Sequence, residues 1–224
     1  MAPKFSAVAF DLDGTLYPNR RLYVKLAPFA IRNWRLLLAF SKAREAIRRE
    51  QEESPALVRR DFYDHQARLT AERLSASADA VKRRIETLMY RGWEPLFSKV
   101  RLFPHARELL AELKAAGLKL GLLSDFPPVT KLKNLGLSGL WDAVLCSEET
   151  GALKPSAHPF NVMAESLGCP PAEILYVGNS RRFDVAGALR AGMKAALLSG
   201  SAAGSPEADF TFRDYRKLRE FVLG

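Results

Sequence analysis

The chain has 224 residues, 48% of them hydrophobic, enough for a sizeable core in one large domain or in a core carrying a smaller insert. Two cysteines, Cys146 and Cys169, form no CxxC motif and no disulfide framework, which points to a reducing, cytoplasmic setting. The net charge of +9 is uneven: residues 17–99 hold 18 Lys and Arg against 10 Asp and Glu, and the remainder is nearly neutral.

The N-terminal apolar run Ala7-Val8-Ala9-Phe10 reads as a fully buried strand. It is too short for a signal peptide and meets Asp11 at once. No stretch is long and apolar enough for a membrane span; the most apolar, Leu36 to Phe40, follows Arg32 and Arg35. Asp11 and Asp13 stand one residue apart where the strand should end, so both can face one pocket. Gly14 then permits a sharp turn. Two acids at a buried strand end require a cation or a proton.

Residues 17–99 show no strand alternation and read as helices. Pro28 suits a first helical turn, with Ala30, Trp34, Leu37 and Leu38 on one face. Ser54-Pro55 reads as a cap opening a helix to about Leu74, and Ser77 as the cap of a third that stops before Gly92.

From Pro104 the pattern alternates. Helices are expected over Pro104 to Ala116, Pro127 or Pro128 to Leu135, His158 to Leu167, Phe183 to Ala191 and Asp214 to Val222. Strands are expected over Leu118 to Leu123, Ala143 to Cys146, Ile174 to Val177, Ala195 to Leu198 and Phe210 to Phe212. Gly200 to Pro206 reads as a small-residue loop. Alternation of this kind predicts an α/β fold, a doubly wound, Rossmann-like parallel sheet covered on both faces. The core then comprises residues 1–16 and 100–224, with 17–99 an inserted α-helical cap.

Ligands bind outside the carboxyl ends of such strands. Four polar groups fall there: Asp11-Leu12-Asp13, Ser124-Asp125, Lys154-Pro155, and Gly178-Asn179-Ser180 with Asp184. Acids, a hydroxyl, a lysine and an amide suit a hard divalent cation and a phosphate. Singly, Ser124 is an ordinary helix cap, Lys154 a surface lysine and Asp184 a first-turn acid.

Together and in order, these motifs resemble the haloacid dehalogenase superfamily on its phosphatase side, extending to Gly187-Ala188 and Ala191-Gly192-Met193. The resemblance implies Asp11 as a nucleophile that forms an aspartyl-phosphate, with Mg²⁺ relieving the repulsion between carboxylate and phosphate. It implies that Asp13 protonates the leaving oxygen, later activates water, and lends its carbonyl to the metal. Ser124 and backbone N–H groups near Asp125 would hold the phosphate, and Lys154 would neutralise the nucleophile and the transferring group. Asn179 departs from the family's usual acidic metal ligand, so a weaker Mg²⁺ site is expected, with Asp184 compensating. The family's metal-independent dehalogenase branch has Asn in this region but lacks an acid at the position of Asp13. Asp13 therefore favours phosphatase chemistry.

The implied substrate is a small phosphorylated metabolite, unnamed by the sequence, as is the oligomeric state. Tyr17, Asn19, Arg20 and Arg21 fall on the hinge into the cap, within reach of a substrate, and Arg181 and Arg182 offer a second anion contact. The competing reading is a weakly catalytic protein whose basic cap binds nucleic acid, an acidic protein or an anionic membrane through arginines interleaved with Trp34, Phe40, Phe62 and Tyr63. Acids interspersed over 45–94 favour solvated helix faces with pairs such as Glu45/Arg49 instead, and Trp34 and Leu37 read as cap core.

Overall fold

In a computed structural model, which describes residues 4–97, 99–200 and 207–224, six strands form one parallel sheet in the order β3-β2-β1-β4-β5-β6. They are β1 (Ala7–Phe10), β2 (Lys119–Ser124), β3 (Ala143–Cys146), β4 (Ile174–Gly178), β5 (Lys194–Leu198) and β6 (Phe210–Phe212). β1 is central, pairing with both β2 and β4. Its alternate side chains feed opposite cores: Val8 and Phe10 join one apolar cluster, Ala7 and Ala9 the other, and all four are fully buried. Complete burial of Phe10 alone is worth about 1.5–3 kcal/mol. The small residues on the second face admit a close helix: a Cβ on Gly121 of β2 would lie 2.5 Å from the Met163 sulfur.

Within residues 17–99 the elements are helices: α1 (Asn19–Arg32), α2 (Trp34–Glu53), α3 (Phe62–Glu72), α4 (Ala78–Arg84), which runs on as a π-helical stretch over Ile85–Arg91, and α5 (Glu94–Phe97). Ser77 caps α4 by accepting the Ala80 N–H, as its sequence predicts. The sheet is flanked by α6 (Ala106–Ala115), α7 (Val129–Asn134), α8 (Ala157–Leu167), α9 (Ala186–Arg190), which follows a π-helical turn over Arg181–Val185, and α10 (Tyr215–Leu223). No helix among the described residues is long and apolar enough to cross a membrane.

The cap corrects several sequence expectations. Pro28 lies inside α1 rather than opening a helix, and the chain breaks at Asn33. Ser54 closes α2 instead of capping α3, which begins at Phe62. Trp34 is 59% and Leu38 52% exposed, so their stripe is not cap core. The break at Asn33 rotates α2 so that Leu36, Ala39, Phe40 and Ala43 turn inward instead, while Leu37 packs at the cluster's margin. Glu45 pairs with Lys42 at 3.0 Å. Of the expected small-residue loop, 201–206 lie outside the described residues.

Candidate active site

Parallel register brings the motifs to one sheet edge. Phe10 is level with Leu122 and Val177, so the next residue of each strand lies at the same height, and the Asp11 N–H donates to the Val177 carbonyl at 2.9 Å. Gly14 turns the chain away at φ +86°. This turn is tight: a Cβ there would lie 2.2 Å from Asn179 Nδ2 and 2.7 Å from Asn19 Nδ2.

Lys154 ties the edge together. Its Nζ donates to Asp11 Oδ1 at 2.8 Å, Asp184 Oδ1 at 2.7 Å, the Tyr176 hydroxyl at 3.2 Å and the Leu123 carbonyl at 3.4 Å. Lys154, which taken singly reads as a surface lysine, is therefore 3% exposed. Burial opposes its charge, but the Asp11 and Asp184 carboxylates overcome that and hold its pKa well above the usual value. Thr15 Oγ1 donates to Asp11 Oδ2 at 2.8 Å. For Asp11 burial dominates, working against the Lys154 ammonium, and lifts its pKa to about 7. Asp184 Oδ2 accepts the N–H groups of Asn179 at 3.1 Å and Ser180 at 2.9 Å. Gly178 makes room for that carboxylate: a Cβ would stand 2.3–2.6 Å from three Asp184 atoms.

Asp13 is held apart from this lysine. Lys131 Nζ donates to its Oδ1 at 2.9 Å and its Oδ2 at 2.7 Å, and the buried Tyr17 hydroxyl also donates to Oδ1. Tyr17 thus orients an acid. Burial and the neighbouring Asp13 push its own pKa far up. Ser124 is fully buried, its Oγ accepting the Phe126 N–H at 3.2 Å.

Asp125 is where the cap meets the core. Its Oδ2 accepts from Arg44 at 3.2 Å and Arg48 at 2.8 Å, both on α2, and its Oδ1 accepts from the Ser147 hydroxyl. Burial works against ionisation, but Arg44, Lys154 and Arg48 overcome it and hold this carboxyl at about 2. Arg48 also donates to the Lys154 carbonyl at 2.8 Å and lies 4.4 Å above the Phe183 ring. Arg44 further pairs with buried Glu148, which also accepts from the Tyr90 hydroxyl at 3.0 Å. Beside this network Leu153 packs with Ile47 and Phe62, and Phe126 lies against Phe40 and Tyr90.

The sequence reading missed Lys131, Arg44, Arg48 and Glu148. One signal for the arginines was present: Phe40, Arg44, Ile47 and Gln51 recur at helical spacing, so Arg44 lies within an inward stripe. Arg182 stacks near Phe183 at 5.2 Å.

Asp11, Asp184, the Asp13 carbonyl and the Asn179 amide present hard oxygen donors. Among the described residues no group of three or more His, Cys, Asp or Glu forms a metal cluster. Two carboxylates with a phosphate and waters is a donor set that Mg²⁺ accepts.

The family model for haloacid dehalogenase-like hydrolases matches residues 5–192. The glyceraldehyde 3-phosphate phosphatase of Methanothermobacter thermautotrophicus is 29% identical over 202 residues, 86% of this chain and 85% of its own. A haloacid dehalogenase-type phosphatase from Thermococcus onnurineus is 23% identical, with a TM-score of 0.64 over 96% of this chain and 97% of its own. A 2-haloacid dehalogenase from Pseudomonas syringae is also 23% identical, with a TM-score of 0.65 over the same shares. The chain belongs to the haloacid dehalogenase-like hydrolase family.

Proposed function

We propose that this hydrolase is a Mg²⁺-dependent phosphatase of a small phosphorylated metabolite, working through an aspartyl-phosphate, with residues 17–99 as its cap. The observation that carries the reading is the buried ammonium of Lys154 bridging Asp11 and Asp184 at the sheet edge. An oxygen of Asp11 attacks phosphorus while the ester P–O bond breaks. The departing alcohol takes a proton from Asp13. Water then attacks phosphorus, Asp13 accepts its proton, and the bond to Asp11 breaks to release phosphate. Lys154 offsets the charge of the nucleophile, and Ser124 with the adjacent backbone holds phosphate oxygens. Asp11, Asp184, the Asp13 carbonyl and Asn179 would hold Mg²⁺, which supplies charge neutralisation at the phosphoryl oxygens.

Asp13 also separates this reading from dehalogenase chemistry, which needs no proton donor for a halide. Free Cys146 and Cys169 support a reducing cytoplasmic setting. The test is phosphate release from a panel of phosphomonoesters with Mg²⁺ and with EDTA, alongside Asp11→Asn. Metal-dependent release that is lost in the variant supports the reading. Equal release by wild type and variant refutes it.

A further inference from the structure

The helix α1 is apolar on two sides. On one, Leu22 and Leu26 join the apolar cluster that holds Phe10, and Phe29 packs edge-on against the Trp93 ring. On the other, Val24, Ala27, Pro28 and Ile31 recur at the spacing of a second helical face, and all four are exposed. Val24 is 71% and Ile31 76% exposed. At the bend the Asn33 N–H still donates to the Phe29 carbonyl at 2.9 Å. Exposed Trp34 and Leu38 therefore follow Ile31 at i+3 and i+7 and extend the strip onto α2. Of nine large hydrophobic residues exposed among the described residues, five fall between Tyr23 and Leu38. Single exposed hydrophobics are ordinary, but a continuous strip marks an interaction surface.

The charge around this strip identifies what covers it. No Asp or Glu stands between Asp13 and Glu45, a stretch that carries seven Lys and Arg. Arg44 turns inward to Asp125. Lys25, Arg32 and Arg35 are exposed beside the strip and pair with no carboxylate among the described residues. A groove of about 290 Å³ at Trp34 and Leu38 has Arg35, Lys42 and Arg73 on its walls. A second copy of the chain docked on the same face would bring these cations against their own counterparts, which is repulsive. Nucleic acid would meet the cations, but Val24, Ile31 and Leu38 offer its bases no ring to stack on. A lipid leaflet satisfies both features, with phosphates for the cations and acyl chains for the aliphatic residues.

We propose that the outer face of α1 and the start of α2 docks this protein on an anionic lipid surface. The aliphatic strip enters the boundary between headgroups and acyl chains, with Tyr23 and Trp34 at headgroup level. Lys25, Arg32 and Arg35 meet lipid phosphates. The inward side of α2 keeps Arg44 and Arg48 on Asp125, so docking requires no change at the candidate active site. The inference goes beyond the phosphatase reading and does not depend on it.

The test is sedimentation of the full chain with vesicles of phosphatidylcholine alone, or mixed with phosphatidylglycerol, at low and high salt. Wild type is expected to bind the anionic vesicles at low salt, to leave them at high salt, and to ignore phosphatidylcholine. Each basic residue near such a surface contributes about fivefold to partitioning, so Arg32→Glu with Arg35→Glu should lower it at least about 50-fold. Ile31→Ser with Trp34→Ser, at unchanged charge, should lower it at least about 10-fold. Tryptophan emission should shift to shorter wavelength on anionic vesicles, and Trp34→Phe should lose that shift. Thermal melts verify that the variants fold. Absence of binding to anionic vesicles at low salt overturns the proposal, as does binding that both double variants retain in full. A wild-type dimer that Ile31→Ser with Trp34→Ser dissociates would give the face to a second copy. A duplex oligonucleotide bound more tightly than the vesicles, and equally by that apolar double variant, would give it to nucleic acid. Either result overturns the lipid assignment.

Discussion

Replacing Arg44 by Met keeps the side chain's length and deletes its charge where cap meets core. Glu148, Gln66 at 3.1 Å and Asp125 at 3.2 Å each lose a donor. Asp125 keeps Arg48 and Ser147. Glu148 keeps only the Tyr90 hydroxyl, and its second oxygen already lacks a partner. Breaking a buried pair in this way costs about 3–5 kcal/mol. The cost varies with pH in a direction fixed by Glu148. Burial dominates there, against the Arg44 guanidinium, and raises its pKa from 4.5 to about 7. Below pH 4.5 the folded and unfolded chains both hold the proton, and the group has no effect on stability. Between 4.5 and about 7 the unfolded chain ionises first, so stability falls as pH rises, by about 3 kcal/mol in all. Without the guanidinium the folded carboxyl keeps its proton to still higher pH. The penalty of Arg44→Met should therefore be about 3 kcal/mol or more at pH 8 and smaller near pH 5 by about 1.4 kcal/mol, the one pH unit above 7 over which only the variant still holds the proton. Urea unfolding at the two pH values measures it. Adding Glu148→Gln should remove the pH-dependent part of the loss, because no carboxyl is then left to hold a proton at pH 8, giving a coupling of about 1 kcal/mol there. A penalty below about 1 kcal/mol at both pH values would refute the reasoning, since Glu148 would then not be buried under the cap in solution.

Asn179→Asp adds a second negative charge beside Asp184, whose Oδ2 accepts the Asn179 N–H. The half-saturating Mg²⁺ concentration for activity should fall several-fold, and the melting temperature in EDTA should fall as well; an unchanged half-saturation would show that Asn179 is no ligand. Gly178→Ala places a methyl 2.3–2.6 Å from the Asp184 side chain. It should cost about 1–3 kcal/mol by overpacking and lower kcat by displacing Asp184 from Lys154, both read from melts and steady-state rates. Wild-type kcat in this variant would separate Asp184 from the chemistry.

The sheet was legible because its determinants are local. The run Ala7 to Phe10 and the pairs of turn residue and apolar run after Pro104 place β1, β3 and β6 at their observed bounds, and the others within a residue. The four motifs were legible as one site because parallel strands deliver their carboxyl ends to one edge whatever the intervening chain does. The cap was harder because a helix's inward face is set by what it docks on. A one-residue break at Asn33 turns Trp34 and Leu38 to solvent and carries Arg44 and Arg48 onto Asp125 and the Lys154 carbonyl. Nothing local in an arginine says that its counterion lies about eighty residues on. Lys131 illustrates the same limit from the core side: in sequence it is one more basic residue of α7, and only the fold brings it to Asp13, 118 residues away. Of the residues read from the motifs, Asp11, Lys154 and Asp184 meet at the sheet edge. Those that were missed pair with Asp13 or join residues 17–99 to the core. Contacts between the two segments, such as Arg44 and Arg48 on Asp125, are ones that neither segment encodes alone.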